Sequence, residues 1–482
     1  MNILQINPRD NVSVVLEPVR TAGRLVDFGH KIALKDIPAG DEVIKYGCPI
    51  GRASIDIKAG EWVHTHNVVT GLGGGRRFYE YMPAFAPRTP RESGVFMGFK
   101  RHGGKIGIRN EIWIIPTVGC VNDIGRVVAQ KARGLITGGV EGVYCFPHPY
   151  GCSQLGEDQD NTIKALSGLI KHPNAGGALV LGLGCENCGI SIIKGALGDI
   201  DGRRVKFLNC QDEQDEIEAA LRLLGELFSA AGQDAREPVP ASELIVGLKC
   251  GGSDGFSGIT ANPLAGALSD RLIDEGGSAI LTEVPEMFGA ETILMNRCKN
   301  EAVFQKTVLL IENFKEYYER HGQPVFENPS PGNKAGGITT LEDKALGCTQ
   351  KAGTAAVSDV LPYGGSLKEK GVNLLQAPGN DLVASTALAV SGAHLILFTT
   401  GRGTPFGAPV PTVKISSNTP LYNKKRNWID FDAGPLASGA SLEALADELY
   451  EYVIKLASGE VLTKTEQNGM REIAVFKNGV TL

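Results

Sequence analysis

Five cysteines occupy one kind of place in this sequence. Cys120 in VGC, Cys152 in YGCSQ, Cys185 in GLGCEN, Cys210 in NCQD and Cys250 in KCGGSDG each follow an apolar run that reads as a buried strand. A cysteine is often a small buried hydrophobe. Chance placement would scatter such residues over strands and helices alike, so five equivalent positions point to thiol or metal chemistry. Cys185 and Cys188 form a CxxC, but no second CxxC follows, which leaves a structural zinc site weakly supported. An iron-sulfur cluster needs three or four thiolates and stays open on the strand-end set.

Histidines supply a second chemistry. His64 and His66 form an HxH at the end of a β-prone piece. On one extended strand they would point to the same face, which suits two imidazoles on one divalent metal and equally suits a polar surface strand. His148 stands between prolines in FPHPYGCSQ and reads as a ligand, a base or a turn residue. Three glycine-rich stretches, at 251–255, 331–337 and 401–407, could hold an anion on backbone amides, with Lys334 and Arg402 adding positive charge. None is a P-loop or a GxGxxG at a strand-to-helix junction, which disfavours a nucleotide.

The elements that must position these groups change character along the chain. Up to about residue 92, short β-prone pieces alternate with turns such as Pro38-Ala39-Gly40 and Lys58-Ala59-Gly60, as in a small all-β unit. The proline-rich MPAFAPRTPRESG closes it. From Gly98 to about Arg236, apolar runs (IWIIPTVGC, GVYCFPHPYGC, ALVLGLGCENC, VKFLNCQD) alternate with helix candidates such as 160–171 and 213–230. Continuous apolar strands separated by helices predict parallel sheets covered on both faces. From about Ser242 the same style returns, ending on a helix near 441–457. The expected division is 1–92, 93–240 and 241–482: a small all-β domain followed by two α/β domains with largely parallel sheets.

The totals agree with that division. At 482 residues, 42% hydrophobic and 21% charged, the chain is long enough for roughly three domains of about 150 residues and is not disordered in composition. A net charge of -6 with interspersed signs offers no basic stripe to nucleic acid. No basic start followed by an apolar run and no twenty-residue apolar segment is present, so neither export nor a membrane is expected, and a cytoplasmic location is. The ten cysteines are too sparse for a disulfide scaffold. A homo-oligomeric state is left open.

Longer strings are specific in combination. HTHN at 64–67, RNEIWIIPTVGCVN at 109–122, HPYGCSQLGED at 148–158, GLGCEN at 182–187, CGGSDGFSGITANP at 250–263, LTEVPEMFGAE at 281–291, NPSPGNKAGGITTLEDKALGCTQKAG at 328–353, APGND at 377–381 and FTTGRGTPFG at 398–407 closely resemble the altronate/galactarate dehydratases. The resemblance runs to the C-terminal FKNGVTL. It implies a SAF-type N-terminal β domain, a sugar-acid substrate and a divalent metal, Fe(II) or Mn(II). The implied activity is loss of water from a hexonate such as D-altronate, giving 2-dehydro-3-deoxy-D-gluconate in hexuronate breakdown. Galactarate or a sulfonated hydroxy acid is the alternative substrate within the family, and a non-catalytic sugar-acid binding protein is the alternative of a different class.

On that resemblance, His64 and His66 are expected to bind the metal, with Cys152, Cys185 and Glu186 completing the shell across the domain junction. Lys334 and Arg402, with Ser253 and Asp254 in the glycine stretch, are expected to hold the substrate. His148, Glu342 and Lys344 are the acid and base candidates. Each charged one also reads as a solvated loop side chain.

Overall fold

The short pieces of the N-terminal segment become antiparallel strands in the computed structural model, which describes residues 2–73 and 78–479. Gly74–Arg77 of GLGGGRRF and the last three residues of FKNGVTL lie outside the described residues. Ile3–Leu4, Val12–Val15, Lys31–Ala33 and Trp62–Val63 form one sheet, and Glu42–Lys45, Cys48–Ala53 and Val68–Val69 another. The hairpin 42–53 turns at Tyr46 and Gly47, whose φ values of 61° and 72° are the two positive angles that a two-residue hairpin demands. The core of this unit, around Val43, Ile50 and Val63, is completed by Ala290, Ala345 and Leu346 from far along the chain.

The apolar runs become parallel strands. Gly142–Cys145, Glu111–Pro116, Ala175–Gly182 and Val205–Asn209 lie side by side in that order. A seven-stranded parallel sheet follows in the order Val357–Leu361, Gly371–Leu375, Ser278–Leu281, Ile245–Cys250, Leu395–Thr400, Thr412–Ser416, Phe431–Asp432. Every residue of Glu111–Pro116 and Leu395–Thr400 is buried, because helices cover both faces of these sheets. The edge strands 357–361 and 431–432 lack a continuous apolar run and escape a reading by hydrophobicity.

Helix Gly156–Ile170, from the four-stranded unit, packs on helix Asp381–Val390, from the seven-stranded one. Trp113, Phe146 and Leu166 thereby share one core with Leu388, Ile396 and Phe398. Truncating Leu166 to Ala would cost about 2–5 kcal/mol. The ends of the middle region are tied together, since Val95–Lys100 pairs antiparallel with Glu237–Pro240. No helix among the described residues is long and apolar enough to cross a membrane.

Candidate active site

In the seven-stranded sheet, successive strands run to one side of Ile245–Cys250 and then return to build the other side from Leu395–Thr400. Such a reversal leaves a crevice beyond the carboxyl ends of the two central strands, where α/β proteins bind ligands. The three glycine stretches meet there. Gly251 N donates to Thr399 O (3.0 Å), Gly401 N to Gly252 O (3.0 Å) and Gly255 N to Gly336 O (2.7 Å). Asn333 Nδ2 donates to Ser253 O (2.9 Å), and Arg402 Nη1 to Gly332 O (3.3 Å). Three of the amides expected to form anion nests, those of Gly251, Gly255 and Gly401, are therefore spent on holding these segments to one another. The amides of Gly252 and Ser253 make no hydrogen bond among the described residues. The buried Ser253 hydroxyl likewise has no partner among the described residues, a condition it shares with other buried serines such as Ser167 and Ser385.

The N-terminal β unit closes the crevice from outside. Its Gly29 carbonyl wedges between Gly255 and Gly337, and a Cβ on either would collide with it. The Tyr46 hydroxyl fills the space that a Cβ on Gly258 would need. Lys31 and Lys45 reach in to Asp343 at 2.8 and 3.0 Å, all three fully buried. Burial opposes ionisation of Asp343, but the two ammonium groups outweigh it and hold its carboxyl well below the usual range. Burial also lowers Lys31, to about 8. The space beneath this closure is small, about 10 Å³, and is lined by Lys45, Tyr46, Ser253, Asp254, Asp343, Lys344 and Cys348. Asp254 accepts hydrogen bonds from Ser257, Ser417 and Asn418, and its burial raises its pKa.

At the floor, the thiols of Cys250 and Cys348 both donate to Glu286 Oε2, at 3.0 and 3.1 Å, with the sulfurs 3.5 Å apart. Among the described residues this is the one group of three His, Cys, Asp or Glu ligand atoms lying within 4.8 Å of one another. Lys344 contacts Glu286 Oε1 at 2.7 Å, and Lys249 and Lys351 contact Glu283. Burial disfavours the Glu286 carboxylate, yet Lys344, Lys249 and Lys351 keep it ionised. Burial likewise opposes the charge of Lys344, which Glu286 restores, raising its pKa. The three lysines balance Glu283, Glu286 and Asp381 in formal charge. Exchanging two thiol protons for a divalent ion leaves that balance unchanged, so the donor set fits such an ion, and two sulfurs favour Fe(II) or zinc over magnesium.

The residues expected from sequence are distributed unevenly over this arrangement. Ser253, Asp254 and Lys344 line the crevice, whereas Lys334, in the short helix Pro331–Ala335, and Arg402, bonded to Gly332 of that helix, are not part of its lining. His64 and His66 do not share an extended strand, because HTHN is a turn between Trp62–Val63 and Val68–Val69. His64 is buried, His66 is exposed, and both rings contact Trp62. His64 Nδ1 lies 3.4 Å from Thr339 Oγ1. Burial and the nearby Lys31 lower its pKa to about 3, leaving a neutral imidazole.

Cys152, Cys185 and Glu186 stand instead at the end of the four-stranded sheet, and no hydrogen bond, ion pair or ring contact joins them to the histidines among the described residues. A single five-residue shell is not formed. Glu186 accepts from Thr117, Leu183 and Gly184. Both ring nitrogens of His148 are engaged by backbone, Nε2 with Pro116 O (2.7 Å) and Nδ1 with Tyr150 N (3.2 Å), which leaves neither for proton transfer. Glu342 accepts from Thr70 Oγ1 and Gly71 N and anchors the exit of the β unit.

Sequence reasoning passed over Lys45, Tyr46, Glu286, Asp343 and Cys348. One signal was present: Lys344, Cys348 and Lys351 stand at i, i+4 and i+7, one face of a helical segment, beside the loop of EVPE.

Comparison with known proteins covers nearly all of this architecture. Residues 1–71 match the family described as Altronate/galactarate dehydratase SAF domain, 98–232 D-galactarate dehydratase/Altronate hydrolase, second domain, and 241–481 D-galactarate/Altronate dehydratase, C-terminal. The chain is 54% identical to the altronate dehydratase of Bacillus subtilis and 51% identical to that of Escherichia coli, covering 100% of both chains in each case. It is 32% identical to the galactarate dehydratase (L-threo-forming) of Escherichia coli over 98% of this chain and 96% of that one. Among solved structures, the alpha subunit of acetyl-CoA synthase/carbon monoxide dehydrogenase is matched with a TM-score of 0.19 at 10% identity, over 76% of this chain and 59% of that one.

Proposed function

The chain belongs to the D-galactarate/altronate dehydratase family, and from that premise we propose that it removes water from D-altronate to give 2-dehydro-3-deoxy-D-gluconate. Identity of 54% and 51% to two altronate dehydratases, against 32% to a galactarate dehydratase, favours the hexonate over the hexarate. The structural observation that carries the reading is the buried Ser253 hydroxyl, without a partner among the described residues, in a crevice where Lys45 and Lys344 stand beside Asp254 and Asp343.

Removing the proton at C2 builds a second negative charge beside a carboxylate, so donors in place before the reaction must stabilise it. The substrate carboxylate is received by Ser253 Oγ and the amides of Gly252 and Ser253, with Lys45 and Lys344 supplying positive potential. Lys334 and Arg402, outside the lining, attract the anion. Lys344, held protonated, acts as a cation and not as a base. His64 is neutral, and its Nε2 has no partner among the described residues. It takes the C2 proton and returns it to the C3 hydroxyl, which leaves as water; the resulting enol tautomerises to the ketone. A divalent ion on Cys250, Glu286 and Cys348, when bound, supplies Lewis-acid polarisation of the substrate oxygens. The surroundings suit a cytoplasmic enzyme with free thiols.

The test is keto-acid release from altronate, galactarate and sulfolactate by anaerobically purified protein supplied with Fe(II) or Mn(II). Altronate is expected to be the best substrate by kcat/KM. Tight calorimetric binding of altronate without keto acid would overturn the enzyme reading in favour of a binding protein.

A further inference from the structure

Ten cysteines are present, and three of them are exposed: Cys120, Cys152 and Cys185. All three belong to one sheet and one edge. They follow the carboxyl ends of Glu111–Pro116, Gly142–Cys145 and Ala175–Gly182 by four, seven and three residues, and the first of these strands lies between the other two as their parallel neighbour. At a spacing of about 4.8 Å per strand, three adjacent strand ends fall within about 10 Å.

The loops that carry the thiols are joined to one another. Gly119 N donates to Tyr150 O (3.0 Å), Cys188 N to Gly151 O (2.9 Å) and Ser153 N to Asn187 Oδ1 (2.9 Å). His148 braces the first two loops through both ring nitrogens, and Glu186 ties the third to Thr117 at 2.5 Å. A Cβ on Gly151 would strike the Thr117 carbonyl, so the glycine permits the close approach of the loops. Ser153 holds a left-handed φ of 57°, a strained conformation for a non-glycine residue, directly after Cys152. Buried polar side chains thus fix a platform whose outward groups include three free thiols. The side-chain contacts of two of these thiols are neutral: Gln211 Nε2 at 3.7 Å from Cys185 Sγ, and Ser153 Oγ at 3.9 Å from Cys152 Sγ.

The three sulfurs do not form a group within 4.8 Å, the spacing that ligands of a single ion require. From this geometry we infer that Cys120, Cys152 and Cys185 hold an iron-sulfur cluster of the four-iron class, which takes its thiolates from points further apart than one ion allows. Three protein thiolates leave one iron for an oxygen ligand from outside the chain. The site is separate from the buried Cys250 and Cys348 pair and does not depend on the crevice assignment.

The test is anaerobic reconstitution of the full chain with iron and sulfide, followed by desalting. About four iron and four acid-labile sulfide per chain are expected, with broad visible absorption and an EPR signal on reduction. Each of Cys120→Ser, Cys152→Ser and Cys185→Ser should lose the sulfide and the absorption while keeping the wild-type circular dichroism, since each removes only an exposed sulfur. Cys250→Ser and Cys348→Ser should retain both. Iron or zinc bound without sulfide, three thiols still freely reactive after reconstitution, or loss of sulfide in the Cys250 and Cys348 variants instead would each overturn the inference. Keto-acid release from altronate by protein that takes up no sulfide on reconstitution would overturn the cluster and leave the dehydratase reading standing; a full cluster without turnover would leave the cluster standing and overturn the dehydratase reading.

Discussion

Lys344 Nζ lies 2.7 Å from Oε1 of Glu286, while the other oxygen of that carboxylate faces the thiols of Cys250 and Cys348 at 3.0 and 3.1 Å. One carboxylate therefore joins the cation lining the crevice to the sulfur pair beneath it. Because both charges are buried, either is costly without the other.

Lys344→Met removes the ion-pair partner of the buried Glu286 and is expected to cost about 3–5 kcal/mol, read as a lower urea midpoint. The double variant Lys344→Met/Glu286→Gln should recover part of the loss. Additive losses in the double-mutant cycle would contradict the coupling.

Tyr46 and Gly258 form one of the contacts through which the β unit seats on the larger body. Gly258→Ala is expected to destabilise the protein by about 1–3 kcal/mol through overpacking. Adding Tyr46→Ala should relieve much of the strain, because the colliding hydroxyl goes with the ring. Thermal melts of the two single variants and the double variant measure this.

Ser253 separates stability from function. Its hydroxyl has no partner, so Ser253→Ala should leave the melting temperature unchanged or slightly higher. In steady-state kinetics kcat/KM for altronate should fall by about tenfold to a hundredfold, the loss of one or two hydrogen bonds to a charged group. Wild-type kinetics would remove Ser253 from the site.

His64 and His66 are predicted to part company. His64→Gln should lower kcat by about a hundredfold to ten-thousandfold with altronate binding preserved in calorimetry. His66→Gln should behave nearly as wild type, since that ring is exposed. Equal effects at the two positions would restore the paired-imidazole reading.

Acid should weaken the junction of the two parallel-sheet units. His172 Nε2 contacts Ala393 O at 3.2 Å, and His394 Nδ1 accepts from Ile245 N at 3.1 Å. Burial lowers their pKa values to about 3 and about 4. A group depressed on folding contributes stability that is present above its unfolded value near 6.5 and lost as pH falls toward the folded value. Stability should drop by about 1.4 kcal/mol per pH unit for each histidine between roughly pH 6 and 4. Urea titrations at stepped pH would show a shallower slope in His172→Asn if this assignment holds.

Strands and helices were legible in the chain because they are local. IWIIP and LILF are continuous apolar runs, the pattern of a strand buried on both faces. The helices expected at 160–171, 213–230 and 441–457 lie at Gly156–Ile170, Glu216–Ala231 and Leu442–Ala457, since their 3.6-residue period is written in consecutive residues. The strings shared with the dehydratases carried the family and its chemistry for the same reason.

Which loops meet was decided only by tertiary structure. Strand order depends on where each crossover lays the next strand, and that choice is made by packing between residues a hundred or more positions apart. It brought Ser253, Asn333 and Arg402 to one crevice. It placed Cys250 against Cys348 and left Cys120, Cys152 and Cys185 on the open edge of a different sheet. His64 was turned inward and His66 outward by a four-residue turn whose shape is fixed by Asn67, whose Oδ1 accepts from His64 N. Residue type and spacing named the reactive groups; long-range packing sorted them into separate sites.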